Sequence, residues 1–173
     1  MKAPALDNHA LIIGVEDYSI YDRSTDLPVG TSDLPGAVND AVAWFRQCVY
    51  MGFSPDRIRV LTTARLTPGD LGPGGAEARI GTPTHDAITS GIEWLAGAVG
   101  GERPASGLLV FSGHGVQDPG TSLCPSDVTG SLDNVVHAAT LLRRLQGSRA
   151  ARRLTWLLDC CHAQVGLRAA EGL

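Results

Sequence analysis

Hydrophobic positions along this chain switch repeatedly between two periods. Ala10-Leu-Ile-Ile-Gly-Val15 is a continuous apolar run, the signature of a strand buried on both faces. From residue 36 to 51, Val38, Val42, Phe45 and Val49 fall at i, i+4, i+7 and i+11, one face of an amphipathic helix that Gly52 stops. Arg57-Ile-Arg-Val-Leu-Thr62 returns to strand character. Ile88, Ile92, Leu95 and Val99 predict a second helix, with Thr84 as its N-cap, Asp86 near the positive end of its dipole and Gly100-Gly101 at its end. Gly107-Leu-Leu-Val-Phe-Ser112 is a third strand. Val135, Ala139, Leu142 and Leu145 step through a third helix, and Arg153-Leu-Thr-Trp-Leu-Leu158 is a fourth strand.

Between these elements the chain is polar. Residues 16–35 read as a long loop, the segment after Gly115 to Gly130 as a loop or hairpin, and residues 63–82, rich in Gly and Pro, as a flexible surface loop. Strand alternating with helix four times predicts an α/β domain with a parallel or mostly parallel sheet covered by helices. The 173 residues suit one such domain over 1–173.

Composition narrows the setting. With 43% hydrophobic and 18% charged residues the chain has the balance of a globular protein, and its net charge of -4 offers no basic surface for nucleic acid or an anionic membrane. The longest apolar runs are strand-sized, far short of a membrane span, and the first 17 residues make a poor signal peptide. Of the four cysteines, Cys160 and Cys161 are adjacent, which with no secretory signal points to a reduced, cytoplasmic protein.

The chemistry lies at two strand ends. Ser112-Gly-His-Gly115 closes the third strand and Asp159-Cys-Cys-His162 the fourth. In an open parallel sheet the carboxyl ends of the strands are where ligands bind. A thiol and an imidazole delivered there form a candidate nucleophile and base, the pair of a cysteine protease. Blander readings exist: a cysteine at a strand end is often a small hydrophobe, a role that Cys160 fills better than Cys161, and His114 between two glycines could be a solvated turn residue. A zinc site built from Cys124, Cys160, Cys161, His114 and His162 lacks the gap that lets adjacent ligands wrap a tetrahedral ion. His9, His85 and His137 sit at element edges and read as surface residues. A nucleotide-binding domain is disfavoured because Glu16-Asp17, not a glycine-rich loop, follows the first strand.

These two motifs, with Leu34-Pro-Gly-Ala-Val-Asn-Asp40, Gly52-Phe53, Ile58-Arg-Val-Leu61 and Leu123-Cys-Pro-Ser-Asp127, resemble the large-subunit portion of caspase-like cysteine proteases, closest to bacterial metacaspase-like proteins. The resemblance implies a three-layer α-β-α fold and a cysteine endopeptidase acting on protein or peptide substrates. It makes Cys161 the nucleophile and His114 the general base and acid, with the amides of Gly115 and Cys161 as oxyanion hole. It maps Asp40, Ser112 and Asp159 onto an acidic S1 pocket that accepts Arg or Lys. It also implies a C-terminal small subunit completing the fold, with residues 163–173 as an inter-subunit linker or tail, activation by proteolysis after Cys161, and Arg168 as a nearby basic target. The chain departs from the family in Ala37, where a cysteine is frequent. It departs again in the loop Val116–Ser122, whose one carboxylate, Asp118, does not support a calcium site. No cofactor is expected. The competing reading is a catalytically silent caspase-like module for protein recognition.

Overall fold

The apolar run near the N-terminus forms β1 (His9–Gly14), which stands at the centre of a five-stranded sheet. The structure, a computed structural model, describes residues 7–18, 34–101, 105–117, 120–128, 133–145 and 153–160. Along the chain β1 is followed by α1 (Ala37–Tyr50), β2 (Ile58–Thr62), the short α2 (Pro68–Leu71), β3 (Arg79–Gly81) and α3 (His85–Gly100). Then come β4 (Gly107–Ser112), β5 (Gly115–Gln117), β6 (Thr121–Leu123), β7 (Val136–His137), α4 (Ala138–Leu145) and β8 (Leu154–Asp159). The main sheet runs β3-β2-β1-β4-β8 with every pairing parallel, and β5-β6-β7 form a small antiparallel sheet beside it. This is the mostly parallel, helix-flanked α/β architecture that the alternating pattern predicts.

Strand alternation sorts the core into two layers. Ala10, Ile12, Val60, Leu108 and Val110 face α1 and pack with Ala41, Phe45 and Cys48. Leu11, Ile13, Leu61, Leu109 and Phe111 face the other way and pack with Ile88, Ile92 and Leu95 of α3 and Leu141 of α4. The helical stripes are largely as expected: Val38 and Phe45 are buried on α1, and Ile88, Ile92, Leu95 and Val99 on α3. Thr84 caps α3 as expected, its hydroxyl accepting from the Ala87 amide at 3.2 Å. No helix among the described residues is long and apolar enough to cross a membrane.

Three elements differ from the sequence reading. Residues 63–82, expected as loop, carry α2 and the edge strand β3. A capping box between Thr67 and Asp70 starts α2, and fully buried Leu71 anchors it to the α1-side core. One buried leucine among Gly and Pro leaves no periodicity to detect. The third helix begins at Ala138 because Val136–His137 first pairs with β6, and its buried positions are Ala138 and Leu141 in place of Ala139 and Leu142. The segment after Gly115 resolves into the β5-β6 hairpin, one of the two alternatives.

Gly14 and Ala37 set the closeness of α1 to the sheet. A Cβ on Gly14 would lie 2.3 Å from the Ala37 carbonyl oxygen, so only glycine lets the start of α1 come down on the end of β1. Glu16 then reaches that helix start, its carboxylate accepting from the Val38 amide at 3.4 Å. A negative charge there is favoured by the helix dipole, and it occupies the place where a phosphate-binding loop would present bare amides.

Candidate active site

The C-terminal ends of the strands align in register. Thr62 pairs with Gly14, Gly14 with Ser112, and Ser112 with Asp159, so the last residues of β2, β1, β4 and β8 form one edge. Because α1 descends onto that edge beside Gly14, Asp40 in its first turn meets β4. The Ser112 hydroxyl donates to Asp40 Oδ2 at 3.2 Å. Asp40, Ser112 and Asp159 line a single open pocket of ≈ 380 Å³, together with Trp44, Val110 and Leu157. Three residues separated by up to 119 positions in the sequence are thus brought together, with two carboxylates and a hydroxyl facing one space. Such a set suits a guanidinium or ammonium group, which carboxylates hold through charge-assisted bonds.

His114 follows immediately on the same strand end. It is half-buried, and its backbone is held from two sides: its amide donates to the Tyr18 hydroxyl at 2.6 Å, and its carbonyl accepts from the Cys124 amide at 3.0 Å. The imidazole also lies against the Tyr18 ring, centroids 4.7 Å apart. Gly113 is required by packing: a Cβ there would sit 2.7 Å from the Tyr18 hydroxyl and 2.9 Å from Phe111 Cζ. Its amide ties β4 to β8 by donating to the Asp159 carbonyl at 3.2 Å. Gly115, buried, opens β5 and pairs with Leu123.

Tyr18 is the residue that sequence reasoning missed. It lies in the polar stretch read as loop, yet is only 2% exposed. No periodicity marks it, and the sole cue is a bulky aromatic just past a strand end. Removing its hydroxyl leaves the half-buried His114 amide without that acceptor, a loss of about 0.5–1.5 kcal/mol. Tyr18→Phe is therefore expected to lower the urea midpoint at an unchanged denaturant slope. An unaltered midpoint would show that the bond carries no stability.

The segment Leu123-Cys-Pro-Ser-Asp127 clamps the hairpin to α3. The Ser126 amide and hydroxyl donate to the Pro83 carbonyl at 2.9 and 3.2 Å, and Asp127 Oδ1 accepts from the His85 amide at 2.8 Å. His85 also meets the adjacent Asp86 carboxylate at 3.0 Å, His137 contacts the Ser122 hydroxyl at 2.8 Å, and half-buried His9 sets its ring edgewise on Trp94. All three stand at element edges as expected.

The cysteines divide by environment. Burial pushes the thiols of Cys48 and Cys124 up to about 12, the latter helped by Cys160, which keeps both protonated and unreactive at neutral pH. Cys160 packs against the α3-side core, in keeping with the structural reading given to it. Cys161, the candidate nucleophile and oxyanion donor, lies outside the described residues, as do His162, residues 163–173 and Asp118.

Comparison with known proteins follows the same line. No curated protein sequence matches this one significantly. The family model of the caspase domain matches residues 7–172, almost the whole chain, including both strand-end motifs. With its parallel sheet and flanking helices, the chain belongs to the caspase-domain family of cysteine peptidases.

Proposed function

We propose that this protein is a metacaspase-like cysteine endopeptidase that cleaves protein substrates after Arg or Lys. The observation that carries the specificity is the pocket in which Asp40, Ser112 and Asp159 converge, one residue from the Gly113-His114 turn. True caspases place basic residues in their S1 pocket to hold an aspartate; two carboxylates here favour the opposite charge.

In this reading Cys161 loses its Sγ proton to the His114 imidazole, and the thiolate attacks the carbonyl carbon of the scissile bond. A C–S bond forms, and the amides of Gly115 and Cys161 hold the resulting oxyanion. His114 returns the proton to the leaving amine as the C–N bond breaks. Water then hydrolyses the thioester, giving its proton to His114 and releasing the acid and the thiol. The bond-breaking steps call for no cofactor or metal.

A fluorogenic peptide ending in Arg should be cut by the wild type, a matched peptide ending in Asp should not, and Cys161→Ala should cut neither. Equal turnover of the Arg peptide by wild type and Cys161→Ala would reject the assignment and leave a caspase-like recognition module. Preference for the Asp peptide would reject the acidic-pocket reading alone.

A small-subunit segment, separated by proteolysis after Cys161, belongs to the same proposal. It is supported by β8, an edge strand whose Leu157 remains 38% exposed and whose backbone has an unpaired side within the described sheet. Mass spectrometry of the protein from its native source should find a companion polypeptide or downstream sequence. Its absence would sink this part. A cytoplasmic location completes the proposal.

A further inference from the structure

On the far side of the sheet from α1, two arginines stand side by side. Arg59 on β2 and Arg79 on β3 are register partners in parallel strands, so their side chains leave the same face about 5 Å apart at the backbone. The Arg59 guanidinium lies over the Trp94 ring of α3 at 4.1 Å from its centroid. Stacking uses the face of the guanidinium and none of its N–H donors. Among the described residues its buried Nε has no hydrogen-bond partner. Burial, and then the charge of Arg79, lower the pKa of Arg59 from its usual value. Neighbouring like charges of this kind oppose each other, whereas Arg57 pairs with Asp7 and Arg46 donates to the carbonyls of Asp70 and Leu71.

Both arginines line an open pocket of ≈ 220 Å³ between the β3 edge of the sheet and α3. Its walls are Leu11, Leu61 and Ala87, with the exposed Ser90 hydroxyl at the rim. Two convergent cations over a short apolar floor match an oxyanion group carried on a small apolar stem. The pocket lies at the β3 end of the sheet, away from the β4 and β8 ends that hold the candidate active site.

We propose that Arg59 and Arg79 form a second ligand site, which binds a small carboxylate- or phosphate-bearing molecule against α3. Calorimetric titration of the full chain with sodium phosphate and, separately, with sodium butyrate, each at an ionic strength matched with sodium chloride, tests it. Saturable binding of at least one is expected. Binding of phosphate alone assigns a phosphate ligand, of butyrate alone a carboxylate with an apolar stem, and of both the shared oxyanion. Arg79 is exposed, so Arg79→Gln should stay folded and weaken binding about tenfold, the loss of a charge-assisted contact. Arg65→Gln, which removes an exposed charge outside the pocket, should leave the affinity unchanged. No saturable binding of either anion, or equal affinity in wild type and a natively folded Arg79→Gln, overturns the proposal. Peptidase activity takes no part in the readout, so this site and the active-site reading stand or fall separately.

Discussion

His114→Ala is expected to lower kcat for an Arg-ending peptide by about 10²–10⁴-fold, with KM little changed, because the base acts on the transition state more than on bound substrate. The fold should survive the change. The bonds that hold this turn are made by the backbone, from the His114 amide to Tyr18 and from the Cys124 amide to the His114 carbonyl, and both persist in alanine. What the variant loses structurally is the contact of the imidazole with the Tyr18 ring, worth about 0.5–1.5 kcal/mol. A large loss of turnover beside a small shift in the urea midpoint is therefore the signature of a chemical role. A loss in kcat below about tenfold, in protein that denatures like the wild type, would remove His114 from the mechanism. An equally large fall in stability would make it a structural residue instead.

The largest effect on stability is expected at Phe111. Its side chain is fully buried in the α3-side core, on the strand that ends in Ser112 and leads into the His114 turn. Phe111→Ala should cost about 3–5 kcal/mol, combining lost transfer energy with an unfilled cavity. That is a fifth or more of a typical domain's total stability of about 5–15 kcal/mol. For a chain of this size it corresponds to a fall in Tm of roughly 6–20 °C. Tyr18 and Gly113 pack against the same ring region, so the loosened turn should also reduce activity at temperatures where the variant is still folded. A loss under about 1 kcal/mol would contradict the packing described for this ring.

The two predictions divide the molecule as the sequence does. Period-two and period-3.6 patterns are local, set by which faces of a strand or helix must leave water, so β1, β2, β4 and β8 and the stripes of α1 and α3 could be read without tertiary information. The motif residues could be read for a related reason: Ser112, His114 and Asp159 each sit where a buried run stops, and the carboxyl ends of parallel strands share one edge. The chemistry proposed for them, base and cation-binding carboxylate, is drawn from residue type.

What lay outside that reach depends on contacts between distant segments. β3 and α2 are too short and too polar for any period, and exist because β2 offers a free edge and the core takes in Leu71. Tyr18 is an ordinary loop residue until the fold sets its hydroxyl on the His114 amide. Gly14 reads as one more position in an apolar run, whereas its missing side chain lets α1 approach and brings Asp40 to the Ser112 hydroxyl. Arg59 and Arg79 are two scattered charges in the sequence, made neighbours only by parallel register. The chain's own order of apolar and polar residues thus decides the elements and the kind of chemistry at their ends. Which side chains meet, and so which charges are paired and which are left for a ligand, is decided by long-range packing.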